Sequence, residues 1–295
     1  MRYQGLGNPV CVAMRTLAVV IFMTCNLQAF CDRNDPSLKL CWDGLEGHGL
    51  IVRDGSSLGL NGTLTGGPAW VTSESDNPHS REKDLVFSSS TISWFWGPRL
   101  SFSGAAGVDV RSADSAVFDS PARMIVAITF KPAIFPTNLE QSLVGYGDGT
   151  ALNGNWQCSI LAGGIGAVGS FNFRYTGVQN NIFTGSGIQK ATETHRVAMV
   201  KNGDASADKT YCYLDGIQNG VSVNGAAMTS VGTKRVAMSF SDDGDSSGFI
   251  GQLGFLKIWI NREPFRSKEE QDAFMYNDWM IHLVHLGPNR AAVYR

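Results

Sequence analysis

The sequence predicts an all-β fold: a two-sheet antiparallel β-sandwich with one short C-terminal helix. Three observations carry that expectation. Asn-Gly or Asp-Gly occurs ten times, at Asp43, Asp54, Asn61, Asp148, Asn153, Asn202, Asp215, Asn219, Asn224 and Asp243. These pairs reach positive φ cheaply, as two-residue hairpin turns require. Between them lie short runs in which apolar residues recur at every second position, the period of a strand. The 295 residues also include 34 glycines, with 43% apolar and only 17% charged residues, which suits a turn-rich β chain with a large core.

The chain begins differently. From Met14, the stretch MRTLAVVIFMTCNLQAF has a basic start, a short apolar run and a small or polar end. That is the layout of a secretory leader, with Met14 as the start, and the run is too short for a transmembrane helix. Residues 1–35 are therefore read as a leader or a disordered extension, 36–286 as one domain and 287–295 as a loose tail. Removing a leader would leave Cys31, Cys41, Cys158 and Cys212 of the six cysteines. Four cysteines permit three pairings. A Cys31–Cys41 bond would tie the incoming tail to the first strand, whereas Cys158 and Cys212 fall in different expected strands. The net charge of −2 and the lack of any Lys/Arg run exclude a nucleic-acid partner.

The elements follow in order. Residues 45–71 alternate short apolar runs with glycine turns and close on Trp70-Val71. In residues 123–130, Met124, Val126, Ile128 and Phe130 share one face. Residues 155–174 read as two strands, NWQCSIL and VGSFNFR, joined by a glycine-rich connection, and residues 173–184 read as a loop. In residues 195–200 both faces are largely apolar, as in a central strand, and residues 194–223 form the clearest hairpin. Residues 248–261 are a closing strand. Ser267 and Glu270 then make a capping box, so the spacing predicts a helix from about Lys268 to Tyr276, with a stop at Asn277.

Several short motifs stand in a telling order: residues 38–42, Glu46-Gly47, Asp54-Gly55-Ser56, Asn61-Gly62-Thr63-Leu64, residues 68–71, LSFSG at 100–104, Lys131-Pro132, and the closing strand with its capped helix. This series resembles the laminin-G-like jelly rolls of the concanavalin A-like lectin/glucanase superfamily. The resemblance covers about residues 38–280 and implies a jelly roll with ligands held on rim loops or on a sheet face. In one respect the chain departs from the family. Where many relatives carry an aspartate in the closing strand, Gly254 stands here. That aspartate supports a structural calcium in such relatives. Calcium wants six to eight oxygens, and Asp43, Glu46, Asp54 and Asp243 are the residues left to supply them. The same four are equally explained as turn residues.

The glucanase branch of that superfamily places its carboxylates in a Glu-x-Asp-x-x-Glu pattern. None of the eight glutamates begins one, so the chain is expected not to be an enzyme. Sugar binding pairs an aromatic plane with amide and carboxylate hydrogen bonders. Arg174, Tyr175, Gln179, Asn180 and Asn181 offer that mixture in one segment, and Trp156 follows a turn. The expected function is thus a secreted or surface-associated, non-catalytic carbohydrate-binding or adhesion module. Its partner is a glycan or polysaccharide. The alternative is a structural or attachment component of a larger assembly, such as a phage or virion, whose partner is another protein.

Overall fold

A computed structural model describes residues 31–44, 46–71, 99–103, 109–135, 140–147, 155–161, 169–175, 179–183, 194–205, 207–222, 227–239 and 246–286. Residues 1–30 of the expected leader or extension, Asp243 and residues 287–295 lie outside them, whereas residues 31–35 lie within them and pack on the domain. Within them the chain is an all-β sandwich of two sheets with one helix on an outer face.

The first sheet has eight strands. In spatial order they are β14 (Ile217–Ser222), β13 (Thr210–Leu214), β12 (His195–Lys201), β7 (Met124–Pro132), β17 (Ile250–Ile260), β5 (Arg99–Ser103) and β4 (Ala69–Val71), and β1 (Leu38–Trp42) also pairs with β17. The second has nine: β11 (Gln179–Phe183), β10 (Phe171–Tyr175), β9 (Trp156–Ile160), β8 (Glu140–Gly147), β15 (Arg235–Met238), β6 (Asp109–Ser112), β3 (Gly62–Thr65) and β2 (Ile51–Val52), with β16 (Ser246–Gly248) beside β8. Every pairing is antiparallel except β16 with β8.

Period two builds the core between the sheets. Met124, Val126, Ile128 and Phe130 of β7 meet Trp156, Cys158 and Ile160 of β9 and Phe171, Phe173 and Tyr175 of β10. The opposite face of β7, with Ile125 and Ala127, joins a second cluster with Ala198, Val200, Tyr213, Trp259 and Met275. A helix, α1 (Lys268–Leu286), covers that second face. The central strands are apolar on both faces because they lie between two packed layers.

Three expectations need correction. The helix does not stop at Asn277 but runs on to Leu286. Asparagine is only a weak helix breaker, and Asp278 and Ile281 beyond it are held against the sheet. Asn219-Gly220 is no hairpin turn. It lies inside β14, where Asn219 is the extra residue of a bulge between the Cys212–Gly220 and Tyr213–Gln218 pairs. Asp215-Gly216, at φ 51° and 76°, makes the turn instead. Finally, residues 173–175 and 179–183 are not an open loop. They form a hairpin in which Phe173, Arg174 and Tyr175 pair with Asn181, Asn180 and Gln179.

In β17 a bulge between Gly254 and Lys257, with Phe255 at φ 51°, bends the strand. Before the bulge β17 pairs with β5, and after it with β1. The partner switch brings the N-terminal segment alongside Trp259, where it borders the site described below.

Candidate functional site

The residues expected to bind a ligand separate once the strands form. Trp156 is 1% exposed. Its indole N–H donates to the Phe118 carbonyl at 3.1 Å, and its ring stacks on Tyr146 with centroids 6.3 Å apart. Tyr175 is 2% exposed and meets Phe173 edge-on. Both belong to the core because alternation on β9 and β10 turns them inward, so neither is a sugar platform. Arg174 points the other way and pairs with Glu140, whose carboxylate also accepts from Ser159 Oγ at 2.9 Å and Asn172 Nδ2 at 3.1 Å. Glu140, Ser159 and Asn172 are each almost wholly buried. This is a buried hydrogen-bonded set on the outer face of the nine-stranded sheet. Its signal was the polar half of the alternation in WQCSI and FNFRY. Gln179, Asn180 and Asn181 lie on β11, and their side chains fall outside the described residues.

The described members of the expected calcium set, Asp43, Glu46 and Asp54, do not form a cage. Both oxygens of Asp54 already accept hydrogen bonds: Oδ1 from the N–H groups of Cys41 (2.9 Å) and Ser56 (2.8 Å), Oδ2 from Ser56 Oγ (2.7 Å) and Leu60 N–H (2.7 Å). Four donors around one carboxylate organise a turn; they do not hold a cation. Glu46 accepts from Arg53 N–H at 3.1 Å, and Asp43 is half-buried nearby. Among the described residues no three His, Cys, Asp or Glu gather as metal ligands. One oxygen-lined recess does have cation chemistry, and the protein fills it with its own ammonium. Lys201 Nζ donates to the carbonyls of Pro121 (3.4 Å), Ala122 (2.8 Å) and Gly203 (3.0 Å) and pairs with Asp204. Burial lowers its pKa despite those partners.

A cleft of about 1070 Å³ opens between the N-terminal segment, the end of β17 and α1. Trp259, Phe274, Asp35, Lys257, Asn277 and Asp278 are among the residues lining it. The N-terminal wall is cross-linked to β1 by the Cys31–Cys41 disulfide. Gly55 packs against that bond: a Cβ there would stand 2.6 Å from Cys31 Cβ, so only glycine fits. Arg33 Nε donates to the Gly55 carbonyl at 3.2 Å, and Asp35 accepts the Trp259 indole N–H at 3.2 Å. Trp259 meets Phe274 edge-on at 5.6 Å, and Arg262 lies over Phe274 at 4.3 Å and Phe265 at 4.4 Å.

The floor of the cleft is charged. Asp278 faces both Lys257 Nζ and Arg196 Nε at 2.8 Å. Burial alone would raise the Asp278 carboxyl. The two cations outweigh it and hold the group well below the usual carboxylate range. Burial, with the Arg196 charge, lowers Lys257. Asp278 therefore stays ionised, unsuited to donate a proton as a general acid at neutral pH. What the cleft offers is aromatic surface beside carboxylates and amides. No motif in the sequence marks it, because its walls come from four distant segments.

No protein-family model and no curated protein sequence matches the chain. Solved structures do match in fold. Domain 4 of AbnA, a GH43 extracellular arabinanase from Geobacillus stearothermophilus solved with arabinotriose, aligns at TM-score 0.51 and 15% identity, over 76% of this chain and 92% of that one. The receptor-binding domain of botulinum neurotoxin type G aligns at 0.52 and 8%, over 83% and 51%. The binding domain of botulinum neurotoxin DC, in complex with SialylT, aligns at 0.51 and 11%, over 82% and 51%. The chain thus spans about half the length of the neurotoxin domains. At these identities the likeness is one of fold: a concanavalin A-like jelly-roll sandwich.

Proposed function

We propose that this chain is a secreted or surface-exposed, non-catalytic carbohydrate-binding module of the laminin-G-like kind, with its glycan in the cleft between the N-terminal segment and α1. The observation that carries this reading is the lining of that cleft. Half-buried Phe274 supplies apolar ring surface, with buried Trp259 (5% exposed) behind it, and Asp35, Asn277 and Glu263 supply hydrogen-bonding groups beside it. Pyranose and furanose rings need that combination, being apolar on their faces and polar at their edges. The fold lends support, since structures that share it were solved with arabinotriose and with SialylT. The Cys31–Cys41 disulfide favours an oxidising compartment. The missing glucanase carboxylate pattern, together with an Asp278 held ionised, favours binding over cleavage.

The test is a glycan array on the full chain, run with calcium and repeated with chelator, followed by titration of any hit while tryptophan emission is recorded. Binding that Phe274→Ala and Asn277→Ala weaken supports the reading. An array blank in both conditions overturns it.

A second reading has its own observation. Ile217 (68% exposed) and Val221 (45%) lie on β14, the strand that ends the eight-stranded order, and the Gly216 turn beside them touches Tyr276 and Trp279 of α1. This apolar edge suits contact with another protein of an assembly. Cross-linking that depends on Ile217, together with a blank array, would favour it.

A further inference from the structure

Resting on the carbohydrate-binding reading, we infer that the cleft selects sugars by charge: it takes neutral and amine-bearing glycans and turns away those carrying carboxylates. The ground is an asymmetry of charge among the lining groups: five carboxylates, Asp32, Asp35, Asp119, Glu263 and Asp278, against three cations, Lys39, Lys257 and Arg262. Two of the cations and the Trp259 N–H are engaged within the protein. The Trp259 indole N–H, the only donor of that side chain, goes to Asp35, and so do the N–H (2.8 Å) and Oγ (2.6 Å) of Ser37. Lys257 is directed at Asp278, with its side chain 4% exposed. The Arg262 guanidinium lies flat over two phenylalanine rings.

Two of the acceptors are less fully used. An ionised carboxylate has about four lone-pair sites. Asp32 accepts the Asn34 N–H at 2.9 Å, and Glu263 is exposed. Asp119 on another wall adds negative charge but is filled, accepting from Val231 N–H (3.0 Å), Gly232 N–H (3.2 Å), Ser120 Oγ (3.3 Å) and Ser230 Oγ. Lys39 is the counterweight, a half-buried ammonium that also lines the cleft.

A ligand that donates to Asp32 and Glu263 and brings no negative charge suits such a cleft. Sugar hydroxyls and ammonium groups do so. A uronate or sialate carboxylate only accepts, and it adds like charge to the walls, which costs binding energy. Asp32 and Glu263 are the specificity-determining residues on this account, since both are accessible and neither is part of the core.

Calorimetry on the full chain at low salt tests the inference, with arabinotriose and cellotriose as neutral probes, chitosan trimer as the amine-bearing one and trigalacturonate as the acidic one. The expected result is binding of neutral and amine-bearing trimers with trigalacturonate about tenfold weaker or more. Asp32→Asn and Glu263→Gln should each narrow that gap, taken as the ratio of neutral to acidic affinity on the same variant, by about threefold. Trigalacturonate binding as tightly as the neutral trimers overturns the selectivity and leaves the carbohydrate reading standing. Failure of every trimer and of the wider array overturns both.

Discussion

Arg196 on β12 and Asp278 on α1 lie 82 residues apart in the chain, yet Arg196 Nε donates to Asp278 Oδ2 at 2.8 Å in a fully buried contact. Arg196 also reaches Thr129 Oγ1 and the Phe255 carbonyl, and Lys257 takes the other oxygen of Asp278. One carboxylate thus ties the helix to two strands of the eight-stranded sheet. Two buried cations share that single countercharge. The two cations hold Asp278 depressed, whereas burial first, and the Arg196 charge second, lower Lys257.

Asp278→Asn removes the countercharge and should destabilise the fold by about 3–5 kcal/mol. A denaturant titration of both proteins checks it. The pH dependence has a definite sign. A depressed carboxyl stabilises fully above its unfolded value, near about 4, and that contribution is lost as pH falls toward the folded value. The wild-type chain should lose stability steeply below about pH 4. Asp278→Asn should show a shallower acid limb.

Trp156→Ala should cost about 3–5 kcal/mol of stability, the usual loss for a large buried aromatic. Arg174→Ala, which strips the partner from buried Glu140, should also destabilise, by about 3 kcal/mol. Neither variant, measured where it remains folded, should change glycan affinity by more than about twofold, because neither residue lines the cleft. Thermal unfolding beside titration with the best array hit separates the two effects.

Cys31→Ser should lower stability by about 2–3 kcal/mol, the loop-closure value for a disulfide of sequence separation 10. Its effect should extend to the cleft, since Asp32, Asp35 and Ser37 lie inside the ring that the bond closes. The readout is Trp259 fluorescence, which should report a loosened Asp35 contact in the variant and in reduced wild type alike.

Cys158 and Cys212 should both resist alkylation in the native state. They face one core from opposite sheets. Packed sheets stand about 10 Å apart, whereas a disulfide needs Cα atoms within about 4.4–6.8 Å, so the bond does not form. Burial pushes both thiols up, Cys158 with a further push from Cys212, and suppresses the reactive thiolate. Mass spectrometry after iodoacetamide should find both positions unmodified in buffer and modified in denaturant.

Local chemistry carried much of the fold. Alternation in β7 and β12 named the buried faces, Asp215-Gly216 named a hairpin, and Ser267 named the start of α1, its Oγ accepting the Glu270 N–H. These signals are legible because they depend on neighbours within a few residues. Helix length was misjudged because Asp278 is anchored by Arg196 and Lys257, from strands the helix meets only in three dimensions. The polar segment 173–183 read as a loop because pairing, which gives those residues a strand, lies in the register and not in the composition.

The sequence by itself determined the class of fold, the rhythm of its strands, the near-neutral charge balance, and the absence of a glucanase carboxylate pattern. The tertiary structure decided where a ligand can sit. It turned Trp156 and Tyr175 into the core, filled the lone pairs of Asp54 with N–H and O–H donors, and built a cleft from Asp35, Trp259 and Phe274. The physical reason is separation along the chain. A strand's period is written in adjacent residues, whereas a cleft is made by segments 224 residues apart, as Asp35 and Trp259 are, and they meet only after packing.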